Sequence, residues 1–315
     1  MKAALPIAHP DTNNGPMSQT SVEKVIGQAS RRVLDQLAIE EPLEIQLSYG
    51  PSNARQTKSI SITMRTPGDD FGLAAGFLMT EGVVQSACDI EQIAYAKHPV
   101  SESAQFPLIL DASGPNSKHN IVRADLATHV TVSMASLQRN FYTTSSCGIC
   151  GKASLLALRT VSPPRTANNF RVDAQMLHTL PGRLRSSQGV FDRTGGLHGA
   201  GLFDSSGNLL ALREDVGRHN AVDKLIGSEF LGDRTPLRER VLLLSGRASF
   251  ELLQKALMGG IPMVAAVGAP SSLAVDVAKE FDITLVGFLR DRHFNIYHGV
   301  ERINGYTSTA AGGGE

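Results

Sequence analysis

The last third of the chain alternates short apolar runs with helix-length segments, and few folds accept that order. Residues 241–244, 261–267 and 283–289 are apolar runs, and 248–258 and 271–281 between them read as helices. This alternation gives a parallel sheet with right-handed crossovers, because a connection long enough to hold a helix returns the next strand in the same direction. In open sheets of this kind ligands gather beyond the carboxyl ends of the strands. Those ends read Ser245-Gly246-Arg247-Ala248-Ser249, Gly268-Ala269-Pro270-Ser271-Ser272 and Arg290-Asp291-Arg292-His293. Each sets small or basic residues beside a helix start or a strand exit, a suitable cradle for phosphate groups.

Upstream, the signals describe a smaller unit. Residues 43–49 and 59–64 alternate apolar and polar as half-buried strands do, and Gly50-Pro51-Ser52-Asn53 opens the turn between them. A helix over 70–81 sets Phe71, Leu73, Ala74, Phe77 and Leu78 against that hairpin, which makes a ββα unit. Before it, 21–42 reads as a short helical stretch; after it, strands are expected at 92–96 and 128–134. A second hairpin joins 197–203 to 209–213 through Asp204-Ser205-Ser206-Gly207, and a short helix follows over 221–226. The expected division is a disordered lead over 1–20, a small α+β domain over 21–140, a larger domain over 141–305 and a disordered tail over 306–315. The fold class is therefore α+β and α/β combined, with a mixed, partly parallel sheet in the larger domain.

Two of the three cysteines fall in Ser145-Ser146-Cys147-Gly148-Ile149-Cys150-Gly151-Lys152, while Cys88, in a small-residue context, reads as a buried or half-buried thiol. The helix formers after Gly151 place Cys150 near a helix N-terminus and Cys147 on the loop before it, where glycines let the backbone bend. The helix end is worth about 0.3 to 1 kcal/mol to an anion, and a pKa unit about 1.4 kcal/mol, so the dipole lowers a thiol by less than about one unit. From roughly 8.5 this leaves a useful thiolate fraction at neutral pH, with Lys152 as further help.

Three readings of the pair stand side by side: nucleophilic sulfur chemistry, metal ligation and incidental thiols. A structural zinc would have to recruit His178 or His198 to complete four ligands. The zinc deaminase signature fails, because His198 follows the pair and precedes Gly199-Ala200. Thioredoxin-like exchange expects the pair straight after a strand in a βαβ unit, which the order of elements does not provide.

Thirty basic and thirty acidic residues cancel, and neither sign forms long runs. This excludes the electrostatic footprint of a nucleic-acid or anionic-membrane binder, so an anionic ligand must be held locally. No run reaches membrane-spanning length, the start lacks a signal peptide's apolar core, and a reducing cytoplasm is the economical compartment. The glycine-rich 195–201 stretch lacks the Gly-x-Gly-x-x-Gly pattern and reads as structural. Arg213, Asp215, Arg218, His219 and Asn220 are either a salt-bridged turn or a binding edge.

Four stretches together carry a resemblance: Ser145 to Gly151, Arg213-Glu214-Asp215-Val216-Gly217-Arg218-His219-Asn220-Ala221-Val222-Asp223-Lys224, Leu244 to Ser249, and Val286-Gly287-Phe288-Leu289-Arg290. In this order they closely resemble the FdhD/NarQ family of formate dehydrogenase accessory sulfurtransferases, over about 42–303. The resemblance implies a cytoplasmic sulfur carrier that receives persulfide sulfur from a cysteine desulfurase. It passes that sulfur to the molybdenum bis(molybdopterin guanine dinucleotide) cofactor before insertion into formate dehydrogenase. The persulfide position maps onto Cys147, and Cys150 is auxiliary. The family's cofactor-binding segment corresponds to Phe288, Leu289, Arg290, Asp291, Arg292 and His293, and a free guanine nucleotide is expected to mimic the cofactor there. The resemblance further implies a homodimer and a larger domain like the cytidine deaminase fold, with no resident metal. The alternative is a non-catalytic cofactor-holding chaperone whose cysteines form a redox clip. The long lead and the Gly/Ala-rich tail depart from the family's pattern without touching its motifs.

Overall fold

A computed structural model describes residues 15–96, 119–132, 155, 156, 158–160, 162 and 169–307. Cys147 and Cys150, the expected lead over 1–14 and the tail from 308 lie outside these described residues.

The chain begins with an antiparallel hairpin of β1 (Met17–Ile26) and β2 (Ala29–Ala38), joined at Gly27, whose φ of 63° only glycine adopts freely. This overturns the helical stretch expected over 21–42. Val22, Val25, Ile26, Val33, Leu34 and Leu37 are spaced to suit one helix face, but Gly27 breaks the helix, and antiparallel pairing satisfies the same backbone groups. Residues 17–20, read as lead, are the first half of β1.

The ββα unit forms as expected. β3 (Glu41–Tyr49) pairs antiparallel with β4 (Gln56–Arg65), and α1 is Asp70–Thr80. β5 (Ile90–Tyr95) and β6 (Ile121–Leu126) complete a four-stranded sheet in the order β4-β3-β6-β5, with β6 parallel to β3. The strand expected over 128–134 is thus displaced to β6, since 128–132 is not strand. Arg123 and Asp125 disguised it: they pair with each other at 3.1 Å on the face away from the core, while Val122, Ala124 and Leu126 are buried.

The larger sheet has six strands in the order β13-β12-β11-β10-β8-β9. The chain reaches it through β7 (Val172–Asp173), α2 (Ala174–Ser187) and α3 (Gly189–Thr194), then β8 (His198–Phe203), β9 (Leu209–Asp215) and α4 (Arg218–Leu231). The predicted alternation follows as β10 (Val241–Leu244), α5 (Phe250–Met258), β11 (Met263–Ala266), α6 (Ser272–Glu280) and β12 (Thr284–Arg290). β13 (His293–His298) closes the edge, and β14 (Ile303–Asn304) pairs with β7. β10, β11 and β12 are mutually parallel; β8, β9 and β13 run antiparallel to their neighbours. Period-two alternation sends Val241 and Leu243 into the core under α2, and Leu242 and Leu244 into the core shared with α4, α5 and α6. Two-sided burial is why these strands read as unbroken apolar runs.

The two sheets share one core, and α1 meets α4 at its centre. A Cβ at Gly76 would stand 2.0 Å from the Asp223 carbonyl oxygen, and one at Gly227 only 1.9 Å from that of Gly72. Only glycine lets these backbones come so close. Buried polar groups reinforce the contact. Lys224 Nζ lies 2.7 Å from an Asp215 carboxylate oxygen and donates to the Thr66 carbonyl at 2.7 Å. Lys255 Nζ lies 2.9 Å from Asp223 and donates to Thr80 Oγ1 at 3.1 Å. Burial by itself disfavours the charged Lys255, but Asp223 and Glu81 more than reverse this and hold its pKa above the usual lysine value.

Gly227→Ala is expected to cost about 3 kcal/mol, seen as a lower urea midpoint, because the added methyl meets backbone that cannot yield. The control Gly182→Ala, where a Cβ meets nothing within 4 Å on α2, is expected to stabilise the protein slightly. Equal midpoints for the two variants contradict the close-contact account.

Candidate functional site

The three strand exits come together as the alternation required. Gly268 N donates to the Gly246 carbonyl at 2.9 Å, Phe288 N donates to the Gly268 carbonyl at 3.0 Å, and Ala248 bridges to Pro270. The loops after β10, β11 and β12 thus form one continuous edge. β8 joins it: Ser245 N donates to the Gly199 carbonyl at 3.0 Å, and Gly199 N donates back to Ser245 Oγ at 2.9 Å.

The expected cofactor segment is the β12–β13 turn, and its residues divide by direction. Arg290, Asp291, Arg292 and His293 are exposed, and Phe288, held at φ 53°, is 37% exposed. Leu289 is fully buried under α2, so its side chain belongs to the core. His178 Nδ1 lies 3.1 Å from the Arg290 carbonyl oxygen, and since a carbonyl only accepts, the proton is on Nδ1.

A cavity flanks the turn on each side. One of about 700 Å³ is walled by His178, Arg292, His293, Phe294 and Asn295. The other, of about 650 Å³, sits at the strand exits themselves, between Gln188, Phe191, His198, Ser245, Val267 and Asp291. Arg218, Arg247, Arg290 and Arg292 form no ion pair with another described residue.

His198 is held below the usual histidine pKa of 6.5, first by burial and then by Arg218 and His219. At neutral pH it is an uncharged imidazole with one donor and one acceptor. Gln188 is nine-tenths buried and more, yet its Nε2 has no partner among the described residues. An unsatisfied buried amide costs about 1 to 3 kcal/mol.

The polar run from Arg213 to Lys224 resolves into two parts. Asp215 is fully buried and accepts from Thr66 N at 3.1 Å, Gly217 N at 2.8 Å and Asn220 Nδ2 at 3.0 Å. With Lys224 it is structural, and Arg213 pairs with Asp69 at 3.1 Å. Arg218 and His219 remain half-exposed beside His198. Glu214 accepts from Val190 N and Phe191 N, which fixes the α2–α3 junction at the cavity wall. Sequence reasoning missed Gln188 altogether, because a glutamine between two helices carries no signal until the fold buries it.

Cys147 falls outside the described residues, but the segment after it does not. Residues 155, 156 and 158–160 are helical, Leu158 is buried in the shared core, and Arg159 pairs with Glu280 at the end of α6. Cys88 is exposed, contrary to the buried or half-buried expectation: it lies on a surface turn with its Sγ 3.2 Å from Ser86 Oγ. No group of three or more His, Cys, Asp or Glu side chains among the described residues is placed to hold a metal ion. No helix among them is long and apolar enough to cross a membrane.

The fold defines the class: a mixed α/β protein with a partly parallel sheet and a ligand-sized cavity at the exits of its parallel strands. Comparison narrows that class. The chain belongs to the FdhD/NarQ family, whose profile matches residues 38–304. It is 52% identical to the sulfur carrier protein FdhD of Streptomyces coelicolor over 271 residues, covering 85% of this chain and 89% of that one. It is 49% identical to the protein of the same name from Mycobacterium tuberculosis over 268 residues, covering 85% of this chain and 91% of the relative. The crystal structure of a candidate formate dehydrogenase accessory protein from Desulfotalea psychrophila superimposes with a TM-score of 0.67. It shares 22% identity and covers 92% of this chain and all of that one, which establishes the shared fold.

Because burial is the first cause of the His198 shift, Arg218→Gln is expected to raise its pKa while leaving it below 6.5. A folded pKa below the unfolded one means that this contribution to stability is complete above 6.5 and is lost as pH falls below it. Imidazole NMR titration of both proteins measures the shift, and a His198 that titrates at or above 6.5 in the unmodified protein refutes the assignment.

Proposed function

We propose that the protein is a sulfur carrier for formate dehydrogenase maturation, with Cys147 as the sulfur-bearing residue and the strand-exit edge as the seat of the acceptor. The observation that carries this is sequence identity of about half to named sulfur carriers over most of the chain, supported by a cavity at the strand exits, with Arg247, Arg290 and Arg292 on the neighbouring loops. On this reading a cysteine desulfurase presents a persulfide, and the Cys147 thiolate attacks its outer sulfur. A new S–S bond forms on Cys147 as the donor's S–S bond breaks, with no net oxidation. The acceptor is the molybdenum cofactor with its pterin guanine dinucleotides, whose pyrophosphates match guanidinium and backbone N–H donors. Arg247, Arg290 and Arg292 hold it, with Asp291 and His293 at the turn. The reading includes a homodimer working in the cytoplasm, and a larger unit like the cytidine deaminase fold.

Chain length supports delivery. Arg159 is anchored at Glu280, and α6 spans about 14 Å from there back to the strand exits. Residue 155 is already helical, and Cys147 lies eight residues before it, a tether of at most about 28 Å. The tether exceeds the gap, so its length permits a sulfur on Cys147 to reach this edge.

After incubation with a cysteine desulfurase and cysteine, mass spectrometry is expected to find about 32 Da, one sulfur atom, added to the Cys147 peptide. Cys147→Ala is expected to abolish formate dehydrogenase activation in a folded protein, with Cys150→Ala less severe. An unaffected Cys147→Ala strain, or cofactor binding with no sulfur on the protein, removes the carrier reading in favour of a holding chaperone. Replacing Arg290 and Arg292 together with alanine is expected to weaken guanine nucleotide binding roughly 10-fold or more without altering thiol reactivity. Unchanged affinity in a calorimetric titration takes the turn out of the site.

A further inference from the structure

The hairpin of β1 and β2 is a two-stranded sheet of its own, and neither outer edge pairs with another strand among the described residues. It also precedes the span that the family profile matches, 38–304. Its base is held against α3: Gln36 Oε1 accepts from Arg193 Nε at 2.7 Å, and a Cβ on Gly196 would stand 3.6 Å from that of Ala38. Further out, Val25, Ile26 and Leu34 are 65%, 63% and 72% exposed. A lone two-stranded hairpin is marginally stable in water, so a ladder running unbroken from Met17↔Ala38 to Ile26↔Ala29 with these side chains bare calls for a further strand.

The ladder fixes which groups face the free edge of β2. Gly27 is the first of two loop residues between the paired Ile26 and Ala29, and Ile39 N donates to the Pro16 carbonyl at 2.9 Å. Hydrogen-bonded pairs alternate along an antiparallel ladder, so Arg31, Val33 and Asp35, in step with Ile39, turn their N–H and C=O toward β1. Those of Arg32, Leu34 and Gln36 face outward. The charges are unanswered too. Lys24 stands directly opposite Arg31, a like pair that weakens the hairpin, and Lys24, Arg31 and Asp35 form no ion pair with another described residue. Asp35 leans over the free edge, where its Oδ1 accepts from Gln36 N at 3.0 Å.

We propose that β2 is a dimerisation edge, pairing antiparallel with β2 of a second copy of this chain about Val33. Residues can lie directly opposite each other only if both turn their backbone groups to the new edge or both turn them away, so odd positions oppose odd and even oppose even. Centred on Val33, the pairing sets Arg31 beside Asp35 of the second copy, repeats that contact by symmetry, and joins Arg32 to Leu34 through backbone hydrogen bonds. A centre at Arg32 sets that arginine against itself, and one at Leu34 leaves Asp35 opposite Val33. β1 offers no equivalent, because its only charges, Glu23 and Lys24, sit at positions of opposite parity and never meet. The result is a four-stranded sheet across a two-fold axis, past the size at which a sheet holds its own shape. This rests on the reading of the protein as a homodimer and adds the surface through which the dimer forms.

Sedimentation equilibrium of the full chain over a range of concentrations measures the dimer constant of the unmodified protein and its variants. Arg31→Asp relieves the clash with Lys24 inside the hairpin yet faces Asp35 of the second copy, so it is expected to weaken dimerisation about 10-fold. Asp35→Arg is expected to weaken it by a similar factor, and the two changes together to restore it. Leu34→Pro removes an outward N–H that the hairpin itself does not use, and it is expected to leave the chain monomeric. The charge variants carry the test if the proline variant does not fold. A dimer that neither single charge change weakens overturns the arm and leaves the homodimer standing. A double variant no tighter than the single ones overturns the pairing about Val33. An unmodified chain that stays monomeric overturns the homodimer along with the arm.

Discussion

Gly72, Gly76 and Gly227 let the backbones of α1 and α4 meet with no side chain between them, and the union of the two sheets depends on that contact. Two buried ion pairs flank the contact, Asp215 with Lys224 and Asp223 with Lys255. Buried pairs of this kind contribute little net stability over an apolar equivalent, but losing one partner costs about 3 to 5 kcal/mol. They tie α4 to the smaller unit, through Lys224 to Thr66 and through Asp223 to Thr80.

That docking also serves the site. α4 begins at Arg218, directly after the Asp215 anchor, so the same turn that locks the core presents Arg218 and His219 beside His198. Glu214, one residue before the anchor, reaches the opposite way and pins the α2–α3 junction where Gln188 sits. A short stretch of β9 and α4 therefore holds the sheets together with one set of side chains and shapes a cavity wall with the next. The structural residues are paired and buried, while Arg247, Arg290 and Arg292 are exposed and form no ion pair with another described residue.

Legibility in the sequence tracked how local the determining interaction is. The parallel strands were plain because two-sided burial writes an apolar run into each, and the ββα unit was plain because its partners are consecutive. The first hairpin was misread, since Val22 to Leu37 satisfies a helical spacing and a single glycine at 27 decided otherwise. β6 was displaced because Arg123 and Asp125 interrupt it, and its partner β3 lies far away in the chain. Arg290, Asp291, Arg292 and His293 were visible as a basic turn, but nothing local marked Leu289, in the same segment, as a core residue.

By itself the sequence determined the ββα unit, the alternation of strands and helices that makes the parallel core of the large sheet, and the family to which the motifs belong. These follow from periodicity and short-range chemistry, which are written residue by residue. Only the tertiary structure decided which part of the Arg213 to Lys224 run is a buried lock and which lies half-exposed beside His198. It also decided that two sheets share one core and that Gln188 is buried with its donors unspent. Those outcomes depend on distances between segments far apart in the chain, and such distances exist only once two glycine-lined helices have closed on each other.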